Sequence, residues 1–148
     1  NNFFSAAMKR YFTSKKEAAN RVAKNRQESH KKRQATYERK KEKARRRLQA
    51  VEKKTKWSEE KRGKVKKFLK NKNIVKYTSS DEEADDGFLS HPFSWESDEL
   101  KKIKEALDKK YLQICPARSK RMLLRRTKGS VRDREAPEVE DDLRWILK

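Results

Sequence analysis

Apolar residues fall into a few separated clusters along this chain, divided by polar stretches longer than a packed core would leave. Near the start, Phe3, Phe4, Ala7, Met8, Tyr11 and Phe12 recur at three- and four-residue spacing, which predicts a short amphipathic helix over residues 3–12. From Ser14 to Lys54 there is neither Gly nor Pro, and most residues are good helix formers. A Glu stands four positions before a basic residue at Glu17/Arg21, Glu28/Lys32, Glu42/Arg46 and Glu52/Lys56. These features predict a long helix. Its apolar residues, among them Ala18, Val22, Ala35, Tyr37, Ala44, Leu48 and Val51, are too sparse for burial in a core, so it is expected to be solvated and to need a partner.

A third helix is expected to begin after Ser58, whose hydroxyl can cap free amides while Glu59 and Glu60 favour the positive helix end. Trp57, Val65, Phe68 and Leu69 are its apolar residues, and Gly63 weakens it modestly. Ser97 is a similar cap, and Leu100, Ile103, Leu107 and Tyr111 repeat at three, four and four residues, the clearest amphipathic helix in the chain. Pro116 ends or restarts a helix, "ARSKRMLLRRTKG" supplies a basic segment, and Gly129 is the expected stop. Leu143, Trp145, Ile146 and Leu147 form a last apolar cluster.

Composition agrees with a small core. Of 148 residues 32% are apolar and 45% charged, against roughly 45–50% and about 25% in ordinary globular domains. The net charge of +20 points to a polyanionic partner. It is distributed unevenly. Residues 1–80 hold 28 Lys/Arg and 7 Asp/Glu, whereas residues 81–148 hold 15 and 16. The change of sign falls at "SSDEEADD", where Asp81, Glu82, Glu83, Asp85 and Asp86 place five carboxylates in six positions. The expected fold is therefore mainly α: a long basic helical arm over residues 1–76, a disordered acidic linker over 77–94, and a small helical unit with a basic patch and an acidic tail over 95–148.

Basic side chains on a solvated helix suit phosphate oxygens on both sides of a groove. The candidate nucleic-acid contacts are Lys31, Lys32, Arg33, Arg39, Lys40, Lys41, Arg45, Arg46 and Arg47 in "KKRQATYERKKEKARRR", with Arg118, Lys120, Arg121, Arg125 and Arg126 as a second patch. Such contacts act chiefly by counterion release, with weak sequence preference. "NRVAKNR", residues 20–26, is similar to the start of a basic leucine-zipper contact region, but Gln27 and Glu28 depart from it and no leucine heptad follows. "WSEE" and "WESDEL" each set a Trp before an acidic helix start, as Myb-like domains do. That likeness implies a core Trp57 or Trp95 and a basic helix over 117–128 on DNA.

No catalytic set emerges, so a non-enzymatic role is expected. His30, His91 and Cys115 are isolated, which predicts no metal site, and three glycines make no phosphate-cradling loop, so no cofactor is expected. A lone cysteine suits a reducing compartment, and with the charge the expected location is the nucleus. No apolar run approaches the ~20 residues of a membrane span, so a membrane is not an expected partner. The chain begins without Met, as expected of a piece of a longer protein. The acidic block admits three readings: a linker, a decoy folding back on the basic arm, or a histone-binding hook whose Phe88, Phe93 and Trp95 enter a partner's pockets. Ser79 and Ser80 stand before acids as acidophilic-kinase sites do.

The order "RRRLQ", "WSEEKR", "SSDEE", "PFSWES", "LDKKY", "SKRMLLRR" over residues 45–148 resembles a family of uncharacterised, multiplied eukaryotic proteins linked to mobile elements. The resemblance implies a DNA-associated module of a transposon-encoded or domesticated protein. DNA is the expected partner, with structured RNA in a ribonucleoprotein particle and histones as the alternatives.

Overall fold

The computed structural model of the chain describes residues 2–79 and 81–148, with side chains from residue 4 onward. Helix α1 runs Asn2–Glu52, α2 Glu59–Leu69, α3 Asp98–Ile114 and α4 Ala117–Leu124. Strands β1 (Asp81–Ala84), β2 (Gly87–Ser90) and β3 (Arg126–Lys128) make a small sheet, and a 3-10 helix spans Asp141–Ile146. The chain is mainly α, as its pattern predicts. The two helices expected over 3–12 and 14–54 are one, because nothing between them breaks the backbone ladder: Thr13 donates its hydroxyl to the Lys9 carbonyl at 2.9 Å within continuous helix.

Two compact units divide at residues 36/37, not at 76/77: Asn1–Thr36 and Tyr37–Lys148. The first is helix, with every described side chain from Phe4 to Ala35 exposed. Its apolar stripe is open to solvent at Phe4, Met8, Tyr11 and Phe12, while the Phe3 side chain lies outside the described residues.

The second unit has one core. Ala50 and Val51 of α1, Val65, Phe68 and Leu69 of α2, and Leu100, Ile103 and Leu107 of α3 pack together with Tyr77, Phe93, Trp95, Leu143 and Ile146. Segments assigned by sequence to arm and helical unit thus bury their apolar faces against the same core. The expectation that α1 stays solvated fails at its C-terminal end, where Lys43, Ala44, Arg47, Ala50 and Val51 are buried. Their spacing of three and four residues puts them on one helical face.

Both expected serine caps are present. Ser58 Oγ accepts from the Lys61 amide at 3.2 Å and Ser97 Oγ from the Leu100 amide at 3.1 Å. Ser97 does more, donating its hydroxyl to the Trp145 carbonyl at 2.8 Å and its amide to the Ile146 carbonyl at 2.8 Å. One residue therefore starts α3 and ties down the C-terminal 3-10 helix. Of the four expected Glu-to-basic pairs in α1, Glu42–Arg46 forms at 3.3 Å, whereas Glu52 reaches Lys66 of α2 at 2.7 Å instead.

The acidic segment is ordered, and the linker expectation is corrected. Strands β1 and β2 pair antiparallel with Asp81 opposite Ser90 and Ala84 opposite Gly87, and β2 pairs parallel with β3, Phe88 opposite Arg126. Asp85 and Asp86 make the reversal. Gly87 is required after them: its φ is +154°, and a Cβ there would stand 2.0 Å from the Arg125 carbonyl oxygen. The stop expected at Gly129 is corrected as well, because α4 ends at Leu124. Gly129 instead passes against the His91 ring, where a Cβ would meet Cε1 at 2.5 Å.

Candidate nucleic-acid interface

The predicted phosphate contacts separate into free and engaged groups. In the first unit Lys31, Lys32 and Arg33 are exposed and form no ion pair with a described residue. Residues 1–36 carry ten Lys/Arg and two Glu. In the second unit Lys41, Arg118, Lys120, Arg121 and Arg125 are exposed, with Lys41 resting over the Tyr37 ring at 5.1 Å. Lys40 is half-buried, and burial, then Arg134 and Arg132, pull its pKa below the ordinary lysine value.

The remaining predicted contacts are held by acids of the chain itself. Arg39 meets Glu83 at 3.1 Å and lies over the Phe88 ring at 5.6 Å. Arg45 and Arg46 pair with Glu42, and Arg46 also covers the Tyr111 ring at 5.8 Å. Arg126 meets Asp81 at 2.6 Å. Arg47, expected at a phosphate, is buried, its Nε and Nη2 donating at 2.8 Å each to the two Asp108 oxygens. Burial alone would lower the Arg47 pKa, but Asp108 outweighs it and the value is raised. A guanidinium buried and paired in this way is not offered at the surface.

Two of the three expected partner-binding aromatics are core residues. Phe93 and Trp95 are buried and stacked on each other with ring centroids 5.3 Å apart, and Tyr77 meets Trp95 edge-on. Only Phe88 remains half-exposed, beneath Arg39. Trp57 is half-buried between the ammonium groups of Lys54 and Lys61, at 5.3 and 4.5 Å from its ring. Ser79 is buried beside Lys43, and Ser80 lies outside the described residues.

Sequence reasoning missed the centre of this charge network. Asp81, its side chain 3% exposed, receives Lys43 Nζ at 3.0 Å on one oxygen and Arg126 on the other. Lys43 also donates to Ser90 Oγ at 3.0 Å. On α3, buried Lys104 donates to Glu96 at 2.8 Å and to the Tyr77 carbonyl at 2.9 Å. Burial pushes both lysines down to about 8, with Arg47 adding repulsion and Asp81 and Glu96 opposing the fall. The signal was present: Lys43 adjoins Ala44 on the buried face of α1, and Lys104 follows Ile103 inside the α3 stripe. A lysine inside an apolar stripe needs a carboxylate partner. Glu82 makes the other strand-borne cluster, pairing with Arg132 and with His91 Nε2, while His91 Nδ1 faces the Ser130 carbonyl at 2.8 Å.

Among the described residues no group of three or more His, Cys, Asp or Glu is arranged to hold a metal ion, and no helix is long and apolar enough to cross a membrane. The arrangement offers positive charge, in a form that reversible ion pairing can use. Compared with known proteins, the chain matches no family model, no curated protein and no solved structure.

Proposed function

We propose that this chain is a non-enzymatic nucleic-acid-binding module, with duplex DNA as its partner and the nucleus as its place of action. One observation carries the reading: a helix whose first 36 residues hold ten Lys/Arg and two Glu, with every side chain from Phe4 to Ala35 exposed. A basic helix open on all sides binds phosphates by releasing counterions and reads little sequence. The exposed Arg118, Lys120 and Arg121 of α4 supply a second contact. Arg47 is withdrawn from the interface, and Arg39 must exchange a carboxylate for a phosphate to join it.

The resemblance of residues 45–148 to proteins linked to mobile elements is what supports a transposon-derived origin. The test measures affinity for duplex DNA from about 50 to about 200 mM salt, with structured RNA as competitor. A fall of several hundredfold or more across that range, with duplex resisting competition, is expected. A flat salt profile would sink the reading, and preferential displacement by RNA would transfer it to a ribonucleoprotein.

A further inference from the structure

In the second unit a cavity of about 260 Å³ opens among buried cations. Seven basic residues line it: Lys43, Arg46, Arg47, Lys101, Lys104, Arg126 and Lys128. Five carboxylates answer them, since Glu42 takes Arg46, Asp108 takes Arg47, Glu96 takes Lys104, Glu105 takes Lys128, and Asp81 serves both Lys43 and Arg126. Positive charge is left over: Asp81 is shared by two cations, Glu42 is shared with Arg45 outside the cavity, and Lys101 has no ion pair among the described residues.

A second observation points the same way. The Nε–H of Arg126 is buried and has no hydrogen-bond acceptor, although the same guanidinium holds Asp81. Buried donors are paired almost without exception, so an orphan on a residue that lines the cavity leaves a donor in want of an acceptor beside it. The rest of the wall is apolar at Pro92, Leu112 and Leu123. Small-molecule sites combine an apolar lining with a few convergent polar groups in this way, at volumes of about 300–1,000 Å³. This cavity is slightly smaller.

We propose that the cavity binds a phosphate-class oxyanion on a compact organic body, the anion meeting Arg126 and Lys101 and the body lying against Pro92, Leu112 and Leu123. A phosphate monoester is close to doubly charged at neutral pH and answers an excess of more than one positive charge. A guanidinium whose Nε–H lacks an acceptor suits its oxygens. The phosphate can come from a free monoester or from the end of a nucleic-acid strand, and the site does not depend on the helix of residues 1–36.

Inorganic phosphate is titrated into the intact chain at fixed ionic strength, following thermal unfolding and the ammonium signals of Lys43 and Lys104 by NMR. Saturable stabilisation is expected, with both ammonium groups titrating at higher pH in the saturated protein. Lys101→Gln, a half-exposed residue without an ion pair, weakens the apparent affinity about tenfold. The combined Lys31→Gln, Lys32→Gln, Arg33→Gln variant leaves it unchanged, even where that variant loses DNA. No saturation, or equal affinity in Lys101→Gln, overturns the proposal. A nucleoside monophosphate and a short oligonucleotide with and without a 5′-phosphate identify the source. Tighter binding of the phosphorylated strand indicates a strand end, and tighter binding of the nucleotide indicates a free ester. A phosphate-independent result in both arms counts against the site.

Discussion

Arg47 and Asp108 face each other through two parallel hydrogen bonds of 2.8 Å, joining α1 to α3, with the guanidinium 6% exposed and the carboxylate 48% exposed. Removing Asp108 strands a buried charge, whereas removing Arg47 strands a carboxylate that still reaches water. Asp108→Ala is therefore expected to cost more than Arg47→Met, about 2–3 kcal/mol against about 1 kcal/mol, after discounting for the open side of the pair. Urea unfolding of both variants and of the double substitution checks this, and equal costs would refute the asymmetry. Burial would raise the Asp108 pKa, but Arg47 lowers it by more, so the net value is depressed. The stabilisation is present above the ordinary aspartate range and is lost as pH falls through the depressed value.

Lys43 and Lys104 give the opposite pH dependence. Each has its pKa lowered to about 8 in the fold, against about 10.4 unfolded. Between those values the unfolded chain binds more protons, so stability rises with pH across the window from about 8 to about 10.4. Facing groups are Arg47, Arg126 and Asp81 around Lys43, and Glu96, Arg47 and Lys43 around Lys104. Unfolding free energies at pH 7.5 and 9.5 are expected to differ by on the order of 3 kcal/mol in favour of the higher pH, roughly half from each lysine. In Lys104→Met the difference shrinks, and a wild-type decline over the same range would contradict the assignment.

Two glycines respond in opposite senses to Ala. At Gly87 a Cβ meets the Arg125 carbonyl at 2.0 Å and the backbone is at φ +154°, so Gly87→Ala is expected to destabilise by about 2–4 kcal/mol and to expose the β1–β2 hairpin amides to exchange. At Gly63, inside α2, a Cβ meets nothing within 4 Å. Gly63→Ala is expected to stabilise by about 0.5–1 kcal/mol. Thermal unfolding with hydrogen exchange on both variants decides the pair.

For nucleic acid, the Lys31→Gln, Lys32→Gln, Arg33→Gln variant is expected to reduce the slope of log affinity against log salt by about 2–3, at about 0.9 per lost phosphate contact. Its thermal unfolding stays at the wild-type value, because these side chains are exposed and pair with no described residue. An Arg47→Lys variant behaves in reverse: it loses the two-pronged contact and some stability while its salt slope stays unchanged. Filter binding across a salt series, read beside melting curves, separates the two.

Local chemistry made much of this fold legible. A stretch without Gly or Pro is continuous helix in Asn2–Glu52, two serines before acids are helix caps, and Leu100, Ile103 and Leu107 form the buried stripe their spacing predicts. These features depend on neighbours within four residues, which a sequence displays directly. The acidic hairpin was legible only in part. Asp86-Gly87 is a turn signal, but nothing local announces that strand β2 will find β3 some forty residues on.

By itself, then, the amino-acid sequence determined the helices, their caps and the excess of positive charge in residues 1–36, because backbone propensity, short-range capping and net charge are local or additive quantities. Tertiary structure alone decided which charges remain available. Lys32 and Arg47 sit in the same basic run, yet one is solvated and the other is locked to Asp108 from a different helix. Asp81, in the middle of an apparent linker, became the shared counter-ion of Lys43 and Arg126. Whether a charge is spent inside the protein or offered outside it depends on residues distant in the chain, and on the burial that makes an unpaired ion costly.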